Sequence, residues 1–216
     1  MAMKATEFIE HFTVKHQGQE TVFIIGGGPS VLKVLPDTHV LDGKNVIATN
    51  NAYQIFPDAM FVWFADRTWY MWHRDNELKN FKNPIASPAA ANEPQRKDFH
   101  QFGVTPFGHG DRNGGFSIDK TKVNGNNAGH QAINVAANIG FKNIILLGFD
   151  MNPVDPKTHW HSGHRRPTNR DNYKNTMIPG MEKMVPFQEQ LGFKVYNTNP
   201  ESHLKCFEFT DINKWL

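Results

Sequence analysis

Thr21-Val22-Phe23-Ile24-Ile25-Gly26-Gly27-Gly28-Pro29-Ser30 is a nearly unbroken apolar run closed by three glycines. Such a run, bounded by glycine, is what a central parallel strand buried on both faces requires. Pro29 suits the first turn of a following helix, where its missing N–H costs little, and Val31, Leu32, Val34 and Leu35 supply that helix with apolar residues. A second loop of the same kind, Asn124-Gly125-Asn126-Asn127-Ala128-Gly129, precedes the stripe Ala132, Val135, Ala136 and Ile139. That stripe has helical spacing and is closed by Gly140 as a C-cap. Each loop is placed to aim free backbone N–H groups and a positive helix end at an anion such as phosphate. The chain is therefore expected to bind a nucleotide.

Outward from these loops, strands are predicted over residues 45–49, 60–65, 143–148 and 193–196. Helices are predicted over residues 6–12, between Trp69 and Lys82, and over residues 180–191 with a kink at Pro186. Strands alternating with helices predict an α/β fold: a doubly wound, mostly parallel, Rossmann-like sheet with its ligand at the carboxyl ends of the strands. Residues 1–216 read as one nucleotide-binding domain. Within it, residues 83–122 carry Pro84, Pro88, Pro94 and Pro106 among five glycines and read as an insertion of short strands and loops walling the site. Residues 151–176 are polar, rich in histidine and arginine, and long enough to be a lid or binding loop.

Composition narrows the function. The 23 basic and 21 acidic residues leave a net charge of +2, which gives no chain-wide bias toward nucleic acid or anionic membranes. No apolar run approaches the roughly 18 residues that span a bilayer, and the polar start lacks a signal-peptide core, so a soluble, cytoplasmic protein is expected. The single cysteine, Cys206, excludes an internal disulfide and a multi-thiolate zinc site. Assembly into a homo-oligomer is left open.

The loops also discriminate among nucleotide folds. A dinucleotide site would need a third glycine where Val31 stands, and an acidic residue near the end of the second strand, where the sequence has Asn50-Asn51. A Walker-type phosphate loop is absent. The pattern instead resembles the sialyltransferase-like group of Rossmann-type transferases: the bacterial sialyltransferases of glycosyltransferase family 42 and the related DUF115 proteins, which include archaeal hydroxymethylpterin pyrophosphokinases. Gly26-Gly27-Gly28-Pro29-Ser30 is similar to their G-x-G-P-S loop. Ala128-Gly129 falls on their Ser-Gly and Gly148-Phe149-Asp150 on their G-I-D, and Thr198-Asn199-Pro200-Glu201-Ser202 is similar to a late turn. The resemblance implies that Gly26 to Ser30, Asn50, Asn51, Asn127, Ala128, Gly129 and Asp150 contact the donor nucleotide. Asn152 stands where the sialyltransferases place a phosphate-holding tyrosine, and Ala128 where they place a serine. Asp66, after the third strand, is closer to the DUF115 pattern, in which it and Asp150 would meet a magnesium–ATP complex.

His159-Trp160-His161-Ser162-Gly163-His164-Arg165-Arg166 holds the candidates for chemistry. Transfer to a hydroxyl is helped by a proton acceptor that titrates near neutrality, which histidine does unperturbed. The resemblance assigns that role to His164, by its Gly-His, with His161 in reserve; Arg165, Arg166 and Arg170 would neutralise phosphate charge as the nucleotide leaves. Plain surface histidines, or a divalent-ion site of His159, His161 and His164, are the competing readings. The expected function is thus a nucleotide-dependent transferase, foremost a glycosyltransferase moving a sugar from a nucleotide-sugar donor to an acceptor hydroxyl on a sugar, a modified nucleic-acid base or a protein, with no cofactor or metal required. The alternatives are magnesium-dependent diphosphate transfer from ATP and a nucleotide-binding module without turnover.

Overall fold

The computed structural model describes residues 2–88, 99, 101–152, 158–162, 169 and 171–216. Strand β1 (Thr21–Ile25) lies in parallel between β2 (Val46–Thr49) and β8 (Asn143–Leu147), with Ile25 level with both Ala48 and Leu147. On the β2 side follow β3 (Phe61–Trp63), β4 (Ile85–Ser87) and β5 (Val104–Pro106); on the β8 side follow β9 (Lys194–Asn197) and β10 (Glu208–Phe209). All the pairings among these eight strands are parallel. Strands β6 (Gly108–His109) and β7 (Lys122–Val123) form a separate pair. The chain leaves β1 in one direction and later returns to its other side, so the fold is a doubly wound, Rossmann-like α/β sheet whose switch point lies between β1 and β8.

Alternation along β1 divides the core in two. Val22 and Ile24 face helix α1 (Ala5–Lys15) and the helix of residues Ala128–Ile139, here α4, whereas Phe23 and Ile25 face Val31, Leu35, Tyr53 and Trp69 on the other side. Phe8 and Phe12 of α1 meet Phe61 with ring centroids 4.9 and 5.0 Å away. Burying each such ring stabilises by about 1.5–3 kcal/mol. Helix α4 carries both of its expected stops: the Asn127 side chain accepts the His130 N–H at 3.0 Å, and Gly140 closes the helix at φ +115°.

The structure departs from the sequence reading in four places. Within residues 83–122, β4 and β5 are not outside the main sheet but extend it. With three residues each, they are too short for a periodic signal. The helix after the first glycine loop, α2 (Val31–Val34), is a single turn that ends before Pro36. The helix between Trp69 and Lys82 is α3 (Arg67–His73), capped by Asp66, followed by a separate 3-10 turn, Glu77–Asn80. The last helix starts inside the segment read as a lid loop, with a wide turn at Tyr173–Met177, and then splits into α5 (Ile178–Glu182) and α6 (Val185–Leu191) rather than kinking at Pro186. Buried Tyr173, Met181 and Met184 hold it against the core. Cys206 is half-buried, and burial pushes its thiol up to about 12, so it stays an unreactive thiol at neutral pH.

His130 is fully buried, and its Nε2 lies 2.6 Å from the Gly115 carbonyl, which only accepts, so Nε2 carries the proton. Nδ1 has no partner among the described residues, and burial lowers the pKa, with the Gly115 bond opposing. The unfolded chain therefore binds a proton here more readily than the folded one. The stability tied to His130 is complete above its unfolded pKa, about 6.5, and is lost as pH falls below it. His16 and His109 are shifted the same way by burial. Urea unfolding from pH 7.5 to 5.5 is expected to show falling stability in the parent, and a slope smaller by up to about 1.4 kcal/mol per pH unit in His130→Gln.

Candidate active site

At the carboxyl ends of β1, β2 and β8, over the switch point, lies a cavity of about 690 Å³. Volumes of about 300–1,000 Å³ are usual for small-molecule sites. Gly26 to Ser30 line it from β1, Asn50 and Asn51 from the end of β2, and Asp66 from the cap of α3. Asn127, Ala128 and Gly129 line it from the start of α4, and Asp150 and Asn152 from the loop after β8. His161 lines it as well, as does His159. His164, Arg165, Arg166 and Arg170 lie outside the described residues. None of the described residues of the 83–122 segment touches the cavity.

The first glycine loop is held by β8 as an extension of the sheet ladder. Gly26 N–H donates to the Leu147 carbonyl at 2.7 Å, Gly28 N–H to the Gly148 carbonyl at 2.8 Å, and Ser30 N–H to Asp150 Oδ2 at 2.9 Å. Ser30 Oγ also donates to Asp150 Oδ1, which accepts from Asn199 Nδ2 at 2.9 Å. The expectation of several free N–H groups here is corrected: with Pro29 having none, only Gly27 N–H lacks a protein acceptor among the described residues. The expected positive helix end is also absent, because α2 is one turn long. The glycines answer to the protein's own backbone. A β-carbon at Gly28 would stand 2.6 Å from the Gly148 oxygen, and one at Gly26 would stand 2.8 Å from the same atom.

The second loop behaves as expected. Asn127 takes the His130 N–H, while the first N–H groups of the twelve-residue α4, at Ala128 and Gly129, have no acceptor among the described residues and open on the cavity. The Phe149 ring separates the two loops: it lies 3.1 Å from a β-carbon built on Gly26 and also presses on Gly129, so both positions are glycine for the same ring.

The remaining residues divide into ligand-facing and structural. Among the described residues, Asn50 (φ +48°) and Met151 (φ +47°) are the non-glycine residues in the left-handed region, and both line the cavity. Such strain persists where surrounding structure holds it, and it clusters at functional sites. The Asn50 side chain has no partner among the described residues, whereas Asn51 is buried, accepting from Trp69 Nε1 at 2.7 Å and donating to Gln54. Asp66 accepts the Thr68 N–H at 2.7 Å as a helix cap. Asp150 already accepts three of the roughly four hydrogen bonds a carboxylate can take. It fits a clamp on the glycine loop better than a magnesium ligand. His130 faces Gly115 and not the cavity.

Residues 158–162 dock on the first loop through Trp160 N–H, which donates to the Gly27 carbonyl at 3.0 Å. This places the His159 ring over Gly27, with the His161 ring centroid 5.3 Å from it. Sequence reasoning did not single out Lys33, Asn172 or Tyr173, which line the cavity together with His159 and Trp69. Lys33 follows the glycine loop by one turn, a signal that was legible; Tyr173 stands 22 residues past Met151 and gave none.

No protein-family model matches the chain, and no curated protein matches it.

The two glycines predict different outcomes. Gly28→Ala meets backbone and is expected to lose about 1–3 kcal/mol of stability in urea titration. The nearest described atoms to a β-carbon on Gly27 are side-chain atoms of His159, the first at 2.8 Å, and no backbone is among them. Gly27→Ala is expected to fold with near-parent stability while weakening nucleotide binding in a calorimetric titration. Phe149→Ala is expected to cost about 3–5 kcal/mol.

Proposed function

We propose that the chain is a nucleotide-dependent transferase, read foremost as a glycosyltransferase that moves a sugar from a nucleotide-sugar donor to an acceptor hydroxyl. What carries the reading is the convergence on one cavity, at the switch point of a doubly wound sheet, of all the described residues that the resemblance assigns to the nucleotide. Ligands of such sheets bind in the crevice outside the strand ends, where the order reverses. The N–H groups at Ala128, Gly129 and Gly27, which have no acceptor among the described residues, suit the donor's phosphates, and Asn50, left-handed and without a side-chain partner among them, suits the nucleoside. In the reaction the bond from the sugar's anomeric carbon to the phosphate oxygen breaks, its electron pair staying on phosphate. The acceptor oxygen forms the new bond and gives its proton to a histidine, His164 by the resemblance or His161. Arg165 and Arg166 would meet the departing phosphate. Nucleotide sugars are intracellular donors, in keeping with cytoplasmic action.

Diphosphate transfer from ATP with magnesium on Asp66 and Asp150 is the second reading, supported by both carboxylates lining the cavity. It gains less from the geometry, since Asp150 is bound to Ser30 and Asn199.

A thermal-shift screen of nucleotides and nucleotide sugars is expected to find a ligand that stabilises the fold by about 2.7 kcal/mol at a hundred times its dissociation constant. With the cognate donor, transfer is expected to persist in chelator; transfer only with added divalent ion supports the ATP reading instead. His164→Ala is expected to lose at least about a hundredfold in turnover with donor affinity little changed. Unchanged turnover in both His164→Ala and His161→Ala would exclude these bases.

A further inference from the structure

We infer that Lys33 is a phosphate-binding residue, its ammonium giving the nucleotide's phosphates a full positive charge at the cavity wall. The inference rests on the nucleotide reading above and names a binding residue that reading does not use. Lys33 lies on the single turn α2, whose placement is set by both the core and the glycine loop. Val31 and Leu35, two residues to either side of it, are buried, which commits one face of the turn to the core. The Lys33 N–H donates to the Ser30 carbonyl at 3.0 Å, and Ser30 is itself held to Asp150. With that face buried, Lys33 and Val34 line the cavity, and the Lys33 side chain is exposed. The root of the side chain is thus fixed to the glycine loop, while its stem carries the ammonium out from it.

Charge gives the side chain its task. Lysines elsewhere are paired, Lys122 with Asp119 at 2.9 Å and Lys194 with Glu208 at 2.6 Å. The Lys33 ammonium has no hydrogen bond or ion pair among the described residues, although Asp66, Asp150 and Glu201 line the same cavity. Asp66 caps α3, and Asp150 accepts from Ser30 and Asn199. Among the described residues, Lys33 is also the one lysine or arginine on the cavity wall. A nucleotide adds negative charge to a wall that already carries three carboxylates, and the N–H groups at Gly27, Ala128 and Gly129 offer it only partial positive charge. A lysine ammonium binds phosphate as a compact point charge with three donors. It reads charge and not the base, so it serves a nucleotide sugar and ATP alike.

The test is calorimetric titration of UDP-glucose, GDP-mannose, dTDP-glucose, CMP-N-acetylneuraminate and magnesium–ATP at neutral pH. For a probe that binds the parent, Lys33→Gln is expected to weaken affinity by at least about tenfold, the size of a hydrogen bond to a charged group, and Lys33→Glu by more. Lys33→Arg, which keeps the charge, should restore most of the loss. The loss in Lys33→Gln is expected to shrink as salt rises from about 50 to about 500 mM, because exposed charges are screened. Lys15→Gln, at the end of α1 that leads to the opposite ends of the strands, controls for net charge and should bind as the parent does. Unchanged affinity in Lys33→Gln, an equal loss in Lys33→Arg or Lys15→Gln, or a loss that salt does not reduce overturns Lys33 as a phosphate ligand and leaves the nucleotide reading standing. No binding of any probe to the parent overturns both.

Discussion

Gly148-Phe149-Asp150, the turn at the end of β8, is the constraint on which the rest of the cavity depends. The Gly148 carbonyl takes the Gly28 N–H and leaves no room for a β-carbon on Gly26 or Gly28. The Phe149 ring sets the spacing of the two glycine loops. The Asp150 carboxylate holds Ser30 through both its main chain and its hydroxyl, and reaches Asn199 in the late turn. That late turn closes on the same residues, since Ser202 Oγ donates to the Phe149 carbonyl at 2.6 Å and Asn197 Nδ2 to the same oxygen at 3.2 Å. Hydrogen bonds to a charged group contribute about 1.5–3 kcal/mol each. One turn thus ties together loops that no secondary structure joins.

This arrangement changes what the glycines mean. A triple glycine opening a helix suggests a cradle of backbone donors, but here most of the donors already serve the sheet, and the absent side chains make room for Gly148, Asp150 and Phe149. Among the described residues, backbone donors of the two loops that remain for a ligand include Gly27, Ala128 and Gly129. A site whose donors are held before the ligand arrives reorganises little during reaction, which is where preorganised electrostatics act. The dipole of α4, twelve residues long, adds to the second loop what the single turn of α2 cannot add to the first.

The histidine segment belongs to the same construction. Trp160 bonds to the Gly27 carbonyl, so the face of the first loop is shared between the cavity and residues 158–162. His159 and His161, two residues apart, reach the cavity together.

Neighbouring residues alone determined β1, which five consecutive apolar residues and a glycine stop define, and α4, whose stripe, Asn127 cap and Gly140 stop all lie within fourteen residues. They also determined the doubly wound class and the stretches that line the cavity, because strand ends and helix starts are local events. The tertiary structure decided the rest. Strands β4 and β5 exist because β3 offers them an edge, and the helical run from Tyr173 forms because the core buries its few apolar residues. Asp150 became a clamp because Ser30, 120 residues away in sequence, stands against it. His159 lies over Gly27 for the same reason. A residue's propensity is carried by its neighbours in the chain, whereas its partner is set by which distant backbone the sheet brings within hydrogen-bonding reach.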